Sequence, residues 1–480
     1  MIAWFTLAAL LPAATGFLLC SAFWRRSQGL AAGLSRLFIG LGVGAGLSSC
    51  TLYFGLLIGY HDRSSLLLFD SLCLAIAGTV WWAMRRCQSA DEIPAIRMAS
   101  PRASVIGYLL TIPVVAAICI AFRYSIGYAA AHPHGAWDGW AIWTMRARFL
   151  FRSGGRWRDA FSPILAYSHP DYPILLPATI SRLWTYLQNE AVLVPTMLGF
   201  FFMLCTLGLA MSSVALLRDQ SQALLTGGVL VTTPFFVRHA VSGYADVPLT
   251  FFFLATTVLL LMSDSAPQMF VLAGLTASLA AWTKNEGLLF LLSSGVAVTV
   301  QLFVTRGHNA KFRALSLFVA GASPVLALII LFKAQLQGRD WLFESSLNGE
   351  SILGRLTDFG RYSLISKSYF REIPQFGEWK ISMVLVLLAY FLLLGRLRCL
   401  KQKPGLLTAI GALAITFAGY FLVYVITPAE LGWQLDNSLN RILLQLWPSA
   451  VVVFFCVTRT PEEVLAVPTQ CKTEIAGATS

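Results

Sequence analysis

Residues 192–217 read VLVPTMLGFFFMLCTLGLAMSSVALL, a run in which no side chain carries a charge. A helix needs about 20 apolar residues to cross the hydrocarbon core of a bilayer, and this run is long enough. Arg218 follows it directly, and a basic residue just beyond a span is typical of the cytoplasmic end. The stretch therefore predicts a transmembrane helix.

The composition of the whole chain agrees with this prediction. Of the 480 residues, 57% are hydrophobic and only 12% are charged, and the mean hydropathy is +0.70. Soluble proteins carry about 25% charged residues, which this chain cannot supply to cover a globular surface. The composition excludes a soluble enzyme, a disordered regulator, a secreted disulfide scaffold and a free nucleic-acid binder, despite the net charge of +12.

Similar apolar runs recur along the chain and predict an all-α polytopic membrane protein of about thirteen transmembrane helices with juxtamembrane helices on its outer face. We interpret the first run as a retained span and not as a cleaved signal peptide. The predicted spans lie near residues 2–24, 37–60, 65–84, 104–122, 192–217, 221–237, 247–263, 269–283, 286–304, 314–332, 381–395, 405–427 and 442–458.

Basic residues fall mainly in alternate gaps between these spans, which predicts an outer N terminus and a cytoplasmic C terminus. Two long outer loops, residues 123–187 and 333–380, then offer the only room for a water-facing site. Segment 172–187 is apolar, but if it crossed the membrane, the predicted orientation of every later span and loop would be inverted. We interpret it as an interfacial or re-entrant helix on the outer side, begun by Pro173 and Pro177.

The first outer loop contains the sequence HPHGAWDGWAIWTMRAR at residues 132–148. Asp138 is a candidate catalytic base, and Trp137 and Trp140 offer ring faces on which a sugar could stack. Tryptophan is also an ordinary residue of the membrane interface. Arg146 and Arg148 match a lipid-linked phosphate, with ordinary anionic lipid headgroups as the alternative ligand.

The end of the same loop reads HPDYP, residues 169–173, and brings three further candidate binding residues: His169, Asp171 and Tyr172. The alternative for Asp171 is that it only caps the helix that follows. His132 and His134 are weak candidates for a metal site, because an HxH pair with one carboxylate is a poor signal.

Short polar turns later in the chain add Asp246, Lys284, Glu286 and Arg441 as candidate binding residues. Charges in such turns are costly inside a bilayer and are expected to face a shared polar cavity. Lys284 is expected to pair with Glu286 or with a substrate phosphate. For Arg441, at the predicted mouth of the last span, the alternative to a phosphate ligand is a side chain that snorkels. Asp70, inside the third span, has no predicted partner.

In this order, the motifs resemble the GT-C class of membrane glycosyltransferases, particularly the family 39 group of protein O-mannosyltransferases and aminoarabinose transferases to lipid A. The resemblance covers about residues 104–458. It is carried by the first-loop acid and by the segments HPDYP (169–173), GYADVP (243–248) and TKNEG (283–287), followed by a late arginine at the outer edge. The first three spans have no counterpart in this pattern, and the acid is single where many members have a pair.

The resemblance implies a GT-C-like bundle over residues 104–458, preceded by a three-span extension (1–103) and followed by a cytoplasmic tail (459–480). It also implies transfer of a sugar, with inversion, from a polyprenyl-phosphate donor to a lipid, glycan or protein acceptor. Asp138 would be the base, with Arg146, Lys284 and Arg441 as candidates for the donor phosphate. The expected location is the inner membrane of the cell, with the active site on its outer, periplasmic face.

This chemistry requires no cofactor, because the donor phosphate ester already stores the energy; a divalent metal is a weaker expectation. Membrane lipid is an expected partner and nucleic acid is not. Two other functions stay open: a transporter or flippase for polyprenyl-linked glycans, and a polysaccharide polymerase or ligase, which uses a lipid diphosphate donor.

Overall fold

The computed structural model describes residues 2–24, 29–87, 105–152, 154–264, 266–304, 308–335, 351–397 and 403–465. The predicted domain boundary near residue 103, part of the second outer loop (336–350) and the end of the predicted tail (466–480) lie outside these ranges. Within them, every named element is a helix.

The first nine α-helices are α1 (Ile2–Phe23), α2 (Leu30–Ile58), α3 (Arg63–Cys87), α4 (Val105–Ala131), α5 (Met145–Arg152), α6 (Leu175–Leu187), α7 (Val194–Leu217), α8 (Gln220–Val231) and α9 (Pro234–Ala240). The others are α10 (Asp246–Met262), α11 (Met269–Thr283), α12 (Asn285–Val304), α13 (His308–Gln335), α14 (Ile352–Thr357), α15 (Phe359–Gln375), α16 (Met383–Leu394), α17 (Pro404–Ile426), α18 (Leu431–Val457) and α19 (Pro461–Leu465).

Eight helices in the described ranges are long and apolar enough to cross a membrane: α1, α2, α3, α4, α7, α13, α17 and α18. Three shorter helices, α10, α11 and α16, are also apolar. The architecture is that of a polytopic helical membrane protein, as predicted. The total of thirteen crossings stays a prediction.

Two predicted helix boundaries are wrong, for local reasons. The expected span 221–237 is broken into α8 and α9 because Pro234 cannot continue a helix and holds Thr233 in an extended conformation. The expected outer turn before the last span is instead the start of α18. Glu430 caps this helix by accepting hydrogen bonds from the N–H groups of Gly432 and Trp433.

Helix α10 forms the centre of the bundle. Every residue from Asp246 to Met262 is buried, and α7, α11, α17 and α18 surround the helix. The largely apolar composition of α10 suits this enclosed position, because the helix has no face that requires water. The first residue of α10 is Asp246, so a carboxylate is buried inside the protein.

Helix α6 corresponds to the segment predicted to be interfacial or re-entrant. Nearly all of its residues are buried, and it packs against α1, α2, α5, α7 and α11. At 1.5 Å per residue its thirteen residues span about 20 Å, too short to cross a bilayer. Other helices enclose α6, so it does not lie on the surface of the protein, and both alternatives, an interfacial and a re-entrant helix, stay predictions.

Arg182 joins α6 to the N-terminal helices. Pro12 has no N–H group, so the carbonyl of Ala8, four residues earlier in α1, lacks its usual helical donor. Arg182 supplies the missing donor through Nη1, at 2.9 Å from the Ala8 oxygen. The proline of α1 therefore creates a docking point for the guanidinium.

The same guanidinium binds Asp70, the acid for which the sequence suggested no partner. Nε and Nη2 of Arg182 lie 3.1 and 2.5 Å from Asp70 Oδ2, and the side chains of Thr51 and Tyr186 also donate to this carboxylate. Asp70 and Arg182 are both almost fully buried. These four residues, which we call the Asp70 node, connect α2, α3 and α6.

Helices α1 and α2 pack so closely that glycine is required at their contact. A Cβ atom on Gly44 would lie 1.9 Å from the carbonyl oxygen of Pro12. Gly40 makes a similar contact, because a Cβ atom there would lie 2.8 Å from Phe17 Cα, so these glycines serve close helix packing.

Replacing Gly44 by alanine is expected to destabilise the protein by about 1–3 kcal/mol, because the backbone of α1 must move away. Gly33→Ala in the same helix is a matched control, since a Cβ there meets nothing within 4 Å. Thermal unfolding in detergent, followed by tryptophan fluorescence, would measure both variants. Equal unfolding midpoints would contradict the close packing.

Candidate active site

Asp138 lies in a continuous helical segment, residues 137–152, in which a π-helical turn (Gly139–Thr144) leads directly into α5. This part of the predicted outer loop is therefore helical. Single π-helical turns are frequently found at functional sites.

Two glycines place this segment against the turn that precedes α10. A Cβ atom on Gly135 or Gly139 would lie 2.3 or 2.4 Å from the carbonyl oxygen of Ser242. The N–H of Ala136 donates to that same oxygen at 2.8 Å. Because Ser242 comes just before α10, this contact brings Asp138 close to Asp246.

Arg441 joins the two carboxylates. Its Nη1 lies 2.7 Å from Asp138 Oδ2, while its Nε and Nη2 donate to Asp246 Oδ2 at 3.0 and 2.7 Å. Asp246 is fully buried, whereas the side chains of Asp138 and Arg441 are 18% and 19% exposed. One guanidinium therefore connects a buried carboxylate to a carboxylate that solvent can reach.

Arg441 owes its position to α18. Gln445 lies four residues further along this helix, on the same face, and its Nε2 donates to Asp246 Oδ1 at 3.0 Å. The hydroxyl of Tyr420 in α17 donates to Gln445 Oε1 at 2.6 Å and orients the amide. The arginine was predicted in an outer turn at the mouth of the last span, but it lies within α18.

Lys284 completes the group. Its Nζ lies 3.2 Å from Asp246 Oδ1 and 2.7 Å from Glu286 Oε1, so the predicted pairing with Glu286 is present and Asp246 is an additional partner. Burial lowers the pKa of Lys284, but the two carboxylates outweigh burial and raise that pKa above its usual value. Lys284 is therefore charged at neutral pH.

We call Asp138, Asp246, Lys284, Glu286 and Arg441 the charged cluster. Its three carboxylates and two cations sum to a charge of −1. Buried charges are tolerated only when they are paired and hydrogen-bonded, a condition that Asp246 and Lys284 meet. The accessible part of the cluster is formed by Asp138, Arg441 and Glu286.

Arg146 holds the loop beside the cluster. The guanidinium is fully buried and donates to the carbonyl oxygens of Ser168, His169 and Tyr172, the last at 3.3 Å. His169 has a φ of 52°, a left-handed conformation that costs energy for a residue other than glycine. The structure therefore gives Arg146 a part in fixing the shape of this loop.

The loop presents a stack of rings to the cluster. The rings of His169 and Tyr172 lie 4.8 Å apart, and the Tyr172 ring stacks on Trp143 at 5.9 Å. Lys284 Nζ lies 5.6 Å from the centre of the Tyr172 ring. Burial lowers the pKa of His169 and raises that of Tyr172, so both side chains are neutral at pH 7. The stack forms an uncharged wall next to the cluster.

Asp171 does not cap α6, whose N-cap residue is Ile174. Its Oδ2 accepts a hydrogen bond from Asn285 at 2.5 Å, and its carbonyl oxygen accepts one from Lys333 at 2.5 Å. Lys333 also donates to Asn285 at 3.0 Å. These bonds tie the loop to α12 and α13, so the capping alternative is wrong and Asp171 contributes to anchoring the loop.

Two exposed tryptophans lie next to Asp138 in the chain. Trp137 and Trp140 are 61% and 42% exposed and meet edge to face, with ring centres 4.6 Å apart. Trp143, by contrast, is fully buried. The ring of Tyr244 lies beneath Arg441, with the guanidinium carbon 4.8 Å from the ring centre. The segment that carries the partly exposed carboxylate of Asp138 therefore also carries the exposed rings of Trp137 and Trp140.

The remaining candidates lie in other contacts. His132 stacks on Tyr128 at 4.4 Å, and the described ranges contain no group of three His, Cys, Asp or Glu side chains arranged to hold a metal ion. His134 therefore has no such group around it in these ranges. Arg148 lies 3.5 Å from Glu190, whose pKa is lowered chiefly by its hydrogen bond from Arg152.

Sequence reasoning missed several residues of the site: Tyr244, Asn285, Lys333, Tyr420 and Gln445. A signal existed for Gln445, because it lies one helical turn after Arg441 and a polar side chain inside a span needs a partner. Tyr420 and Lys333 carried no such signal, because their partners come from distant parts of the chain.

Comparison with known proteins adds no further information on this site. No family model, curated protein or solved structure matches the chain.

Proposed function

We propose that this protein is an integral membrane glycosyltransferase. It moves a sugar, with inversion, from a polyprenyl-phosphate donor to an acceptor on the outer face of the inner membrane. The observation that supports the proposal best is the contact between Asp138 and Arg441, two partly exposed side chains whose charged atoms lie 2.7 Å apart at the edge of the charged cluster. A base and an anion-binding group are the two elements that this reaction needs.

The reaction assigns a role to each side chain. Asp138 accepts the proton of the acceptor hydroxyl as its oxygen attacks the anomeric carbon. The bond between that carbon and the phosphate oxygen breaks, and its electron pair leaves with the prenyl phosphate. Arg441 stabilises the charge that develops on this leaving group, and Asp246 holds Arg441 in place through two hydrogen bonds.

The surroundings of Asp138 suit a sugar. Trp137 and Trp140, close to Asp138 in the chain, have exposed rings, and such ring faces bind the apolar side of a sugar ring. The stack formed by the partly buried rings of His169 and Tyr172 and the buried ring of Trp143 is uncharged, and its packing favours a fixed orientation of the reacting groups.

Mass analysis of cell-envelope glycans and glycoproteins, with and without the gene, tests the proposal. We expect one sugar to be missing without the gene and restored by the wild-type protein. In purified membranes, a polyprenyl-phosphate sugar should serve as donor with release of polyprenyl phosphate.

Other results would contradict the proposal and indicate one of the alternatives. Movement of a lipid-linked glycan across the membrane without a covalent product indicates a transporter. Use of a lipid diphosphate donor alone indicates a polymerase or ligase.

A further inference from the structure

We propose that Asp138 is an internal substitute for the donor phosphate. In the empty enzyme it occupies the edge of Arg441 that a singly charged prenyl phosphodiester binds, and the donor displaces it. This inference rests on the proposed function. It adds that the catalytic base is held by the arginine until the donor has bound.

The geometry leaves one cationic contact available for exchange. Nε and Nη2 of Arg441 are bonded to the fully buried Asp246, so these two nitrogens are already engaged. Lys284 is only 5% exposed and already lies between Asp246 and Glu286. The contact between Nη1 of Arg441 and Asp138 joins two partly exposed groups, and a ligand from outside can replace it.

The charges favour a phosphodiester as the replacement. A carboxylate and a phosphodiester each carry a charge of about −1 at neutral pH, and both accept hydrogen bonds from a guanidinium. Their exchange leaves the charge around Arg441 unchanged. Without Asp138 the other four groups of the cluster sum to zero, so a phosphodiester restores the charge of −1, whereas a diphosphate brings additional negative charge.

The exchange also defines an order of binding. While Asp138 is paired with Arg441, its Oδ2 contacts the guanidinium and not the hydroxyl of an acceptor. Once the phosphodiester has taken that place, the carboxylate is free to accept the proton of the acceptor hydroxyl. The donor must therefore bind before the acceptor can react.

Binding measurements on the full-length protein in lipid nanodiscs test this inference. The probes are tritiated farnesyl methyl phosphodiester and farnesyl diphosphate, and the variants are Asp138→Asn and Asp138→Ala. Loss of a competing charge-assisted contact is expected to tighten binding of the phosphodiester about tenfold. Asp436→Asn is the matched control, because it removes an exposed carboxylate from the same helix as Arg441 and is expected to leave binding unchanged.

Each outcome bears on the inference. Tighter binding by both Asp138 variants, with the phosphodiester preferred over the diphosphate, supports it. If the wild type binds the phosphodiester but the Asp138 variants bind it no better, the inference is wrong and the proposed function stands. If no form of the protein binds either probe and no sugar is transferred, the proposed function fails and the inference fails with it.

Discussion

Asp138→Asn is expected to lower the rate of sugar transfer by about 10²–10⁴-fold, the usual contribution of a general base. Asparagine has nearly the same shape but cannot accept a proton at neutral pH. The side chain is partly exposed and its partner Arg441 keeps Asp246, so the fold should survive the substitution. A single-turnover assay with saturating donor measures the chemical step directly.

The same substitution is expected to act on donor binding in the opposite direction, since the amide competes less well than the carboxylate for Arg441. A fall in kcat together with a lower KM for the donor would distinguish this mechanism from a general loss of structure. Asp436→Asn should change neither quantity. Undiminished transfer by Asp138→Asn would remove Asp138 from the mechanism.

Asp70→Asn is expected to cost about 3–5 kcal/mol of stability, the usual effect of removing one partner of a buried ion pair. Arg182 would keep its charge at a site that is 1% exposed, without a counter-charge from Asp70. Because α1, α2 and α3 meet α6 here, their docking should weaken. Unfolding by increasing denaturing detergent, followed by tryptophan fluorescence, measures the change.

Two further variants make the Asp70 prediction specific. Asp62→Asn, at the exposed start of α3, makes the same chemical change where an amide can still cap the helix, and little effect is expected. The double variant Asp70→Asn with Arg182→Gln removes both charges and should recover much of the lost stability. A stable Asp70→Asn single variant would show that the ion pair is dispensable.

Much of the helical framework could be predicted from the amino-acid sequence. The run at 192–217 is helix α7 at Val194–Leu217, and the shorter run at 269–283 is α11 at Met269–Thr283. Such predictions succeed because a lipid-facing helix must satisfy its own backbone, so length and apolar composition are sufficient signals. They fail where a local feature intervenes, as Pro234 does between α8 and α9.

The candidate site was predictable only as a set of residue types. Asp138, Lys284 and Arg441 were identified as candidates because charged side chains in or near a bilayer are energetically costly and often mark a functional site. That Arg441 binds both Asp138 and Asp246 was not predictable, nor was the bond between Asp70 and Arg182. Residue type alone also did not predict the partners of Arg146. A guanidinium can bind phosphate, but in the structure this one donates hydrogen bonds to backbone carbonyl oxygens.

Composition and hydrophobic run length by themselves determined that this chain is a helical membrane protein with a few charged residues among its apolar segments. Those properties are local, because each helix forms its hydrogen bonds within its own segment. Only the tertiary structure decided which charges pair, because the partners come from α10, α18 and the segment at 137–152, which are far apart in the chain. Their convergence depends on packing contacts such as those of Gly135 and Gly139 on Ser242, which no periodicity in the sequence encodes.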